Sequence, residues 1–213
     1  MTTNKTIAKF QFITINHTDI SHADQAIRAF KAGCKWVQLR MKDCSEQEIE
    51  LEIKKILPVA NAHNAILLIN DNAELTLRTG AHGVHLGKND LCPTEARKLL
   101  GPHFIIGGTA NTFEDVLSLM NREVDYVGMG PFRFTTTKKN LSPVLGKEGY
   151  YQTMSQLMEM GKNIPIIAIG GILPNDIEDL LQSGIHGIAA AGAVLAENNI
   201  ELNIQKYQQI IHS

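Results

Sequence analysis

Ile66-Leu67-Leu68-Ile69-Asn70-Asp71, a short helical interval over Ala73 to Thr79, then Gly83-Val84-His85-Leu86-Gly87-Lys88-Asn89-Asp90: this stretch decides the fold. Two short apolar runs flank a brief helix. Each run reads as a β-strand. Each is followed closely by an aspartate. Two carboxylates at the same ends of adjacent parallel strands can converge on one hard cation.

The same unit extends in both directions. Toward the N-terminus, strands are expected at Phe10 to Ile15 and Lys35 to Arg40, with helices over Asp19 to Ala32 and after Ser45. Ser45 with Glu48 three residues on is a capping-box signature. Toward the C-terminus, strands are expected at Phe104–Gly108, Val124–Gly128, Pro165–Ile169 and Gly187–Ala190. Helices are expected from Pro93 to near Gly101, from a Thr112 cap through Met120, and over Tyr150–Met160, Pro174–Gln182 and Ile200–Ile211. Eight β-α units in one run predict an α/β, single-domain (β/α)8 TIM barrel spanning residues 1–213. An open doubly wound sheet is the rival. It usually has fewer strands and often a Gly-rich first turn, whereas the first strand here runs into Ile15-Asn16-His17-Thr18.

The chain has 213 residues, with 20 Lys and Arg against 22 Asp and Glu. That length suits one well-buried core. The near-neutral balance argues against a nucleic-acid binder, which would carry a basic surplus. No apolar run approaches the length of a membrane span, and Met1-Thr2-Thr3-Asn4-Lys5 does not resemble a signal peptide. A cytoplasmic protein without a membrane partner is expected. Cys34, Cys44 and Cys92 lack C-x-x-C spacing and are expected to be reduced thiols.

Active sites of such barrels lie at the carboxyl ends of the strands. Gln38, Arg40 and Lys42 alternate with Leu39 and Met41 at the end of strand two, so they share one face. An Arg fork beside a mobile Lys suits a polyanion. Asp71 and Asp90 suit Mg2+, which takes oxygen ligands and often only one or two carboxylates. The plainer role for each is a helix cap. His82 and His85 fall on opposite faces of a strand, so zinc is not expected there. Gly170-Gly171 and Ala191-Gly192 end strands seven and eight, where many barrels bind phosphate through backbone N–H groups. The segment Gly130 to Gly149 is too long for an ordinary connection. Thr135, Thr136, Thr137 and Lys138 within it suit a lid over a phosphate.

These residues resemble the thiamine phosphate synthase family. The matching motifs are Gln38-Leu39-Arg40-Met41-Lys42, Ile69-Asn70-Asp71, Gly83-Val84-His85-Leu86-Gly87 with Asp90, Asp125 through Pro131, Thr135 through Lys139 and Ile169-Gly170-Gly171-Ile172. They run in one order along nearly the whole chain. The resemblance implies joining of hydroxymethylpyrimidine diphosphate to a thiazole phosphate, with release of pyrophosphate. It also implies a dissociative substitution, in which a pyrimidine-stabilised cation is captured by the thiazole nitrogen. By the same match, Asp71 and Asp90 hold Mg2+. Gln38, Arg40, Lys42, Asn70, Thr109 and Lys138 bind the pyrimidine diphosphate, with Arg40, Lys42 and Lys138 stabilising the departing charge. Thr135, Thr136, Thr137, Gly171, Ala191 and Gly192 bind the thiazole phosphate. Barrels of this type commonly associate into homo-oligomers.

Three departures from the family pattern stand out. Thr109 and Asn111 stand where the family usually has Ser and His, Gly192 where it usually has Ser, and Arg133-Phe134 where it usually has Tyr-Pro. The thiazole tautomerase branch is the nearest rival; it relies on a His at position 111 and usually lacks the second carboxylate. A non-catalytic phosphate-ligand-binding regulator and another sugar-phosphate barrel are rivals of other classes.

Overall fold

Short apolar runs bounded by Gly, Asn and Asp can bury both faces only by pairing with neighbours of their own kind. In a computed structural model that describes residues 5–134, 143–196 and 199–212, they do so by closing on themselves. The strands are β1 (Phe10–Ile13), β2 (Trp36–Leu39), β3 (Ile66–Asn70), β4 (Gly83–Leu86), β5 (Ile105–Ala110), β6 (Tyr126–Met129), β7 (Ile166–Ile169) and β8 (Gly187–Ala190). All pair in parallel and in chain order, and β8 returns to β1. The result is the expected (β/α)8 barrel.

The helices are α1 (His22–Lys31), α2 (Glu46–Ala62), α3 (Ala73–Thr79), α4 (Pro93–Leu100), α5 (Phe113–Met120), α6 (Gly146–Glu159), α7 (Ile177–Gln182), α8 (Gly192–Leu195) and α9 (Ile200–His212). Their starts follow local chemistry. Ser45 accepts from the Glu48 N–H while Glu48 accepts from the Ser45 N–H, the expected capping box,. Thr112 and Asp115 make a second one at α5. None of the described helices is long and apolar enough to cross a membrane.

Alternation along the strands divides two cores. Val37, Leu67, Ile69, Val84, Ile106, Val127 and Ile188 point outward into the layer beneath the helices. Ile13, Trp36, Leu68, Ile105, Tyr126, Ile167 and Ala189 point inward and fill the barrel. The inward parity continues upward through Gln38, Asn70, His85 and Thr109. Hydrocarbon therefore fills the lower barrel and polar side chains line its mouth.

Several boundaries differ from expectation. β5 and β6 extend one or two residues later than the apolar count suggested, which places Thr109 inside β5. α6 starts at Gly146 rather than Tyr150. Its entry is fixed from outside the helix: the Leu145 N–H donates to the Pro131 carbonyl at 2.9 Å, and Gly146 to Phe132 at 3.0 Å. The 174–182 segment opens as a 3-10 turn before becoming α-helical.

Candidate active site

The rim of the barrel is built from backbone geometry first. Asp71 follows β3 in a left-handed conformation, φ 70°, and its N–H donates to the His85 carbonyl at 2.8 Å. That conformation costs a non-glycine residue little only when it is Asn or Asp. It turns the chain sharply at the strand end. Asp90 closes a tight turn after β4: its Oδ2 accepts from the Gly87 N–H at 2.7 Å. A methyl group on Gly87 would lie 2.9 Å from that oxygen, so a larger residue there would push the Asp90 carboxylate aside.

Neither aspartate caps a helix. Asn72 caps α3 by accepting from Leu75, and α4 starts at Pro93 with no side-chain cap. The two carboxyl groups instead face each other closely enough to shift each other's pKa. Burial raises Asp90, and the facing Asp71 carboxylate raises it further. Burial alone would raise Asp71 as well. Hydrogen bonds from Asp90 and Lys42, with the Lys42 charge, outweigh that and hold it below the usual carboxylate range. Like charges in contact need compensation, and the Lys42 ammonium supplies part of it. A hard dication is the other way to satisfy them. No third His, Cys, Asp or Glu joins the pair among the described residues. Two carboxylates with coordination left for water and phosphate oxygens is a donor set that fits Mg2+.

The cations sit beside this pair. Lys42 Nζ forms an ion pair with Asp71 Oδ2 and is otherwise exposed. Arg40 is partly buried; burial lowers its pKa and the Asp71 charge opposes that shift. Guanidinium remains charged under any such shift. The Arg40 backbone is held by its N–H donating to Thr14 Oγ1 at 3.1 Å. Thr14 Oγ1 in turn lies 2.7 Å from His22 Nδ1, and His22 Nε2 lies 2.9 Å from Asn16 Oδ1. Burial lowers the His22 pKa, so this support stays neutral.

Inside the mouth, Gln38 is only 2% exposed and its Nε2 has no hydrogen-bond partner. Thr109 Oγ1 lies 3.0 Å from His85 Nε2. The other histidine of the pair, His82, faces away. Its Nδ1 accepts from the Leu67 N–H, and its Nε2 meets Asn61 Oδ1. Opposite orientation of the two rings is what strand parity requires.

The far rim belongs to β6, β7 and β8. Gly170 and Gly171 have φ of 102° and 70° and lie against the chain leaving β6. Arg133 donates its N–H to the Gly170 carbonyl at 3.0 Å. Its guanidinium reaches the Gly171 carbonyl at 2.9 Å and Asp176 at 2.7 Å. Sequence reasoning treated Arg133 only as a departure from a pattern; it is the clasp between the β6 exit and the β7 exit. Asn111 donates its amide to the Gly130 carbonyl at 2.5 Å. Ala191 and Gly192 stand at the start of α8, a four-residue helix that apolar periodicity could not reveal. Gly192 is exposed, with only Ile15 Cδ1 near the position a Cβ would take. Thr135, Thr136, Thr137 and Lys138 lie outside the described residues.

A family model described as thiamine monophosphate synthase matches residues 10–194. The chain belongs to the thiamine monophosphate synthase family. Among relatives, a thiamine-phosphate synthase of Bacteroides fragilis is 51% identical over 185 residues, covering 87% of this chain and 91% of that protein. One from Flavobacterium johnsoniae is 38% identical over 205 residues, covering 96% of this chain and 97% of that protein. A solved thiamine phosphate pyrophosphorylase from Pyrococcus furiosus superposes with a TM-score of 0.84 at 24% identity, covering 96% and 95% of the two chains. That likeness speaks for the fold. Family membership explains why acidic and basic groups gather on one rim of a barrel whose body is hydrocarbon.

Proposed function

We propose that the chain condenses hydroxymethylpyrimidine diphosphate with thiazole phosphate to give thiamine phosphate and pyrophosphate. The observation that carries the reading is the acidic pair beside Arg40 and Lys42 at the carboxyl ends of β2 to β4. Two carboxylates facing each other mark a place for a cation, and the cations beside them mark a place for a polyanion.

In this reading Asp71 and Asp90 hold Mg2+, which neutralises oxygens of the diphosphate. Arg40 and Lys42 meet the same diphosphate, and Lys138 is assigned to it by the family motif. The buried Gln38 amide N–H, which costs free energy while unpaired, supplies a donor to the acceptor nitrogens of a pyrimidine. Asn70 and Thr109 complete the inner wall. Gly171, Ala191 and Gly192 on the opposite rim hold the thiazole phosphate, and Thr135, Thr136 and Thr137 are assigned to the same ligand by the family motif.

The chemistry asks little else of the protein. The C–O bond to the diphosphate breaks with both electrons leaving on oxygen. The exocyclic carbon is left as a cation delocalised over the pyrimidine, and the thiazole nitrogen lone pair closes the C–N bond. Negative charge grows on the leaving group, so Arg40, Lys42 and Lys138 bind the transition state more tightly than the ground state. No proton has to move. A near-neutral surface supports work in the cytoplasm without a nucleic-acid partner, and self-association of the barrel is part of the same proposal.

The test is pyrophosphate release from the two substrates, with Mg2+ and with EDTA. Magnesium-dependent release with thiamine phosphate formation supports the reading. Ligand binding without turnover would replace it with that of a regulator.

A further inference from the structure

Below the mouth, the barrel interior contains a polar column that the substrate roles above leave unexplained. Gln11 Nε2 lies 3.3 Å from Tyr126 Oη, Tyr126 Oη lies 2.8 Å from His85 Nδ1, and His85 Nε2 lies 3.0 Å from Thr109 Oγ1. Tyr126 is fully buried and His85 nearly so. Space for both rings is reserved on the facing strands. A methyl group on Gly107 would fall 2.2 Å from the Tyr126 ring, and one on Gly128 would fall 2.9 Å from His85 Cε1. The column rises from the hydrocarbon layer and ends on a side chain at the rim.

Donor and acceptor accounting gives the column a direction. Gln11 Nε2 donates to the Tyr126 oxygen. The phenol has one proton, burial keeps it from ionising, and His85 Nδ1 at 2.8 Å is placed to accept it. A neutral imidazole that accepts at Nδ1 carries its proton on Nε2. Nε2–H therefore donates to Thr109 Oγ1. With its oxygen engaged as an acceptor, the Thr109 hydroxyl is free to turn its own proton to the mouth. In this direction each link pairs one donor with one acceptor. Successive links in one direction also strengthen one another.

We infer that Gln11, Tyr126 and His85 are positioning residues that fix Thr109 as an outward hydrogen-bond donor to an acceptor atom of the pyrimidine diphosphate. This rests on the functional reading above for the identity of that acceptor, not for the direction of the column. His85 acts through its tautomer and does not transfer a proton.

Two measurements test it. The first is the tautomer of His85, read by long-range 1H–15N correlation on protein labelled at its eight histidines and assigned with His85→Gln. Protonated Nε2 with unprotonated Nδ1 is expected in the wild type, with the Nδ1–H form gaining population in Tyr126→Phe. Protonated Nδ1, or imidazolium at neutral pH, overturns the inference. The second is a double-mutant cycle. Thr109→Val and Tyr126→Phe should each lower kcat/KM for the pyrimidine diphosphate by about two- to tenfold, the usual worth of one hydrogen bond. KM for the thiazole phosphate should stay unchanged, Thr109→Ser should restore the rate, and the double variant should lose no more than Thr109→Val alone. Additive losses overturn the inference, because Tyr126 would then act by another route. A wild type with the expected tautomer and no turnover would sink the functional reading and leave the column standing.

Discussion

Asp90→Asn separates the metal reading from a structural one, because the two predict changes of opposite kind. The amide is close to isosteric with the carboxyl group. Its oxygen can still accept from the Gly87 N–H, which Asp90 Oδ2 now does at 2.7 Å. Its NH2 can donate to the facing Asp71 carboxylate,. The metal-free fold therefore loses no hydrogen bond and is relieved of an acidic neighbour. Its stability should move by no more than about 1 kcal/mol in either direction, about 2–4 °C in Tm for a chain of this size. The metal-bound state should respond very differently. At a ligand concentration about 100 times Kd, binding stabilises a fold by about 2.7 kcal/mol, and a 100-fold weaker site leaves only about 0.4 kcal/mol. The wild type should thus gain about 5–11 °C from Mg2+ in the presence of pyrophosphate, relative to pyrophosphate with EDTA. The variant should gain about 1 °C. Turnover should fall by roughly 10²-fold through lost stabilisation of the leaving group. Thermal melts with and without metal, run beside the pyrophosphate assay, decide it. An equal metal-dependent shift in both proteins would refute the assignment. So would a metal-free variant that loses more than about 3 kcal/mol, since the pair would then be a structural contact.

Three further outcomes are expected. Lys42→Ala should leave Tm within about 2 °C, because its ion pair with Asp71 is half-exposed and such pairs contribute little; kcat/KM for the diphosphate should fall at least about tenfold, and an unchanged kcat/KM would remove Lys42 from the site. Asp125→Ala should cost about 3–5 kcal/mol in urea unfolding, because Lys5 and Arg97, whose side chains are 13% and 14% exposed, both pair with it at the closed end of the barrel; KM values of the surviving enzyme should match wild type, and a loss below 1 kcal/mol would mean that water already screens the cluster. Lys138→Ala should lower turnover at least about tenfold with an unchanged urea midpoint, and global unfolding of that variant would count against a lid.

The legible parts of the sequence were those in which one physical signal dominated. β3, α3, β4 and β8 have the bounds that their apolar runs and flanking turn residues indicate. The Ser45–Glu48 box forms as its spacing requires. β5 was harder because it contains Gly107 and Gly108, which read as a break. In the barrel they are accommodations in opposite directions: Gly107 makes room for Tyr126 inside and Gly108 for Leu119 of α5 outside. Those partners are set by parity across strands, which local propensity does not record. α8 has four small or apolar residues and no periodicity to detect. At the rim, the convergence of Asp71 with Asp90 was readable because parallel strands bring like ends together. Arg133 was not, because its contacts to Gly171 and Asp176 span 38 and 43 positions. The phosphate roles of Gly171, Ala191 and Gly192 and the threonine–lysine segment remain proposals.

The departure at position 111 is consistent with a site that keeps its charges fixed. A His there would bring a group that titrates near neutral pH; Asn111 brings only an amide, and that amide is committed to the Gly130 carbonyl at the root of the β6 loop. The two histidines nearest the mouth are also engaged. His22 is kept neutral by burial beneath Arg40, and His85 is tied between Tyr126 and Thr109. In the proposed reaction the leaving pyrophosphate departs with its electrons and the thiazole nitrogen attacks with a lone pair it already has. A proton carrier would add nothing to that step. What the step needs is positive charge that does not vary and a hydrogen-bond donor that does not turn around. In the proposed site Arg40, Lys42 and a dication held by Asp71 and Asp90 would supply the first, and Thr109 would supply the second. Replacing a titratable side chain at 111 by one that fastens the loop root is therefore compatible with the transferase chemistry, and incompatible with a tautomerase that needs that position to move a proton.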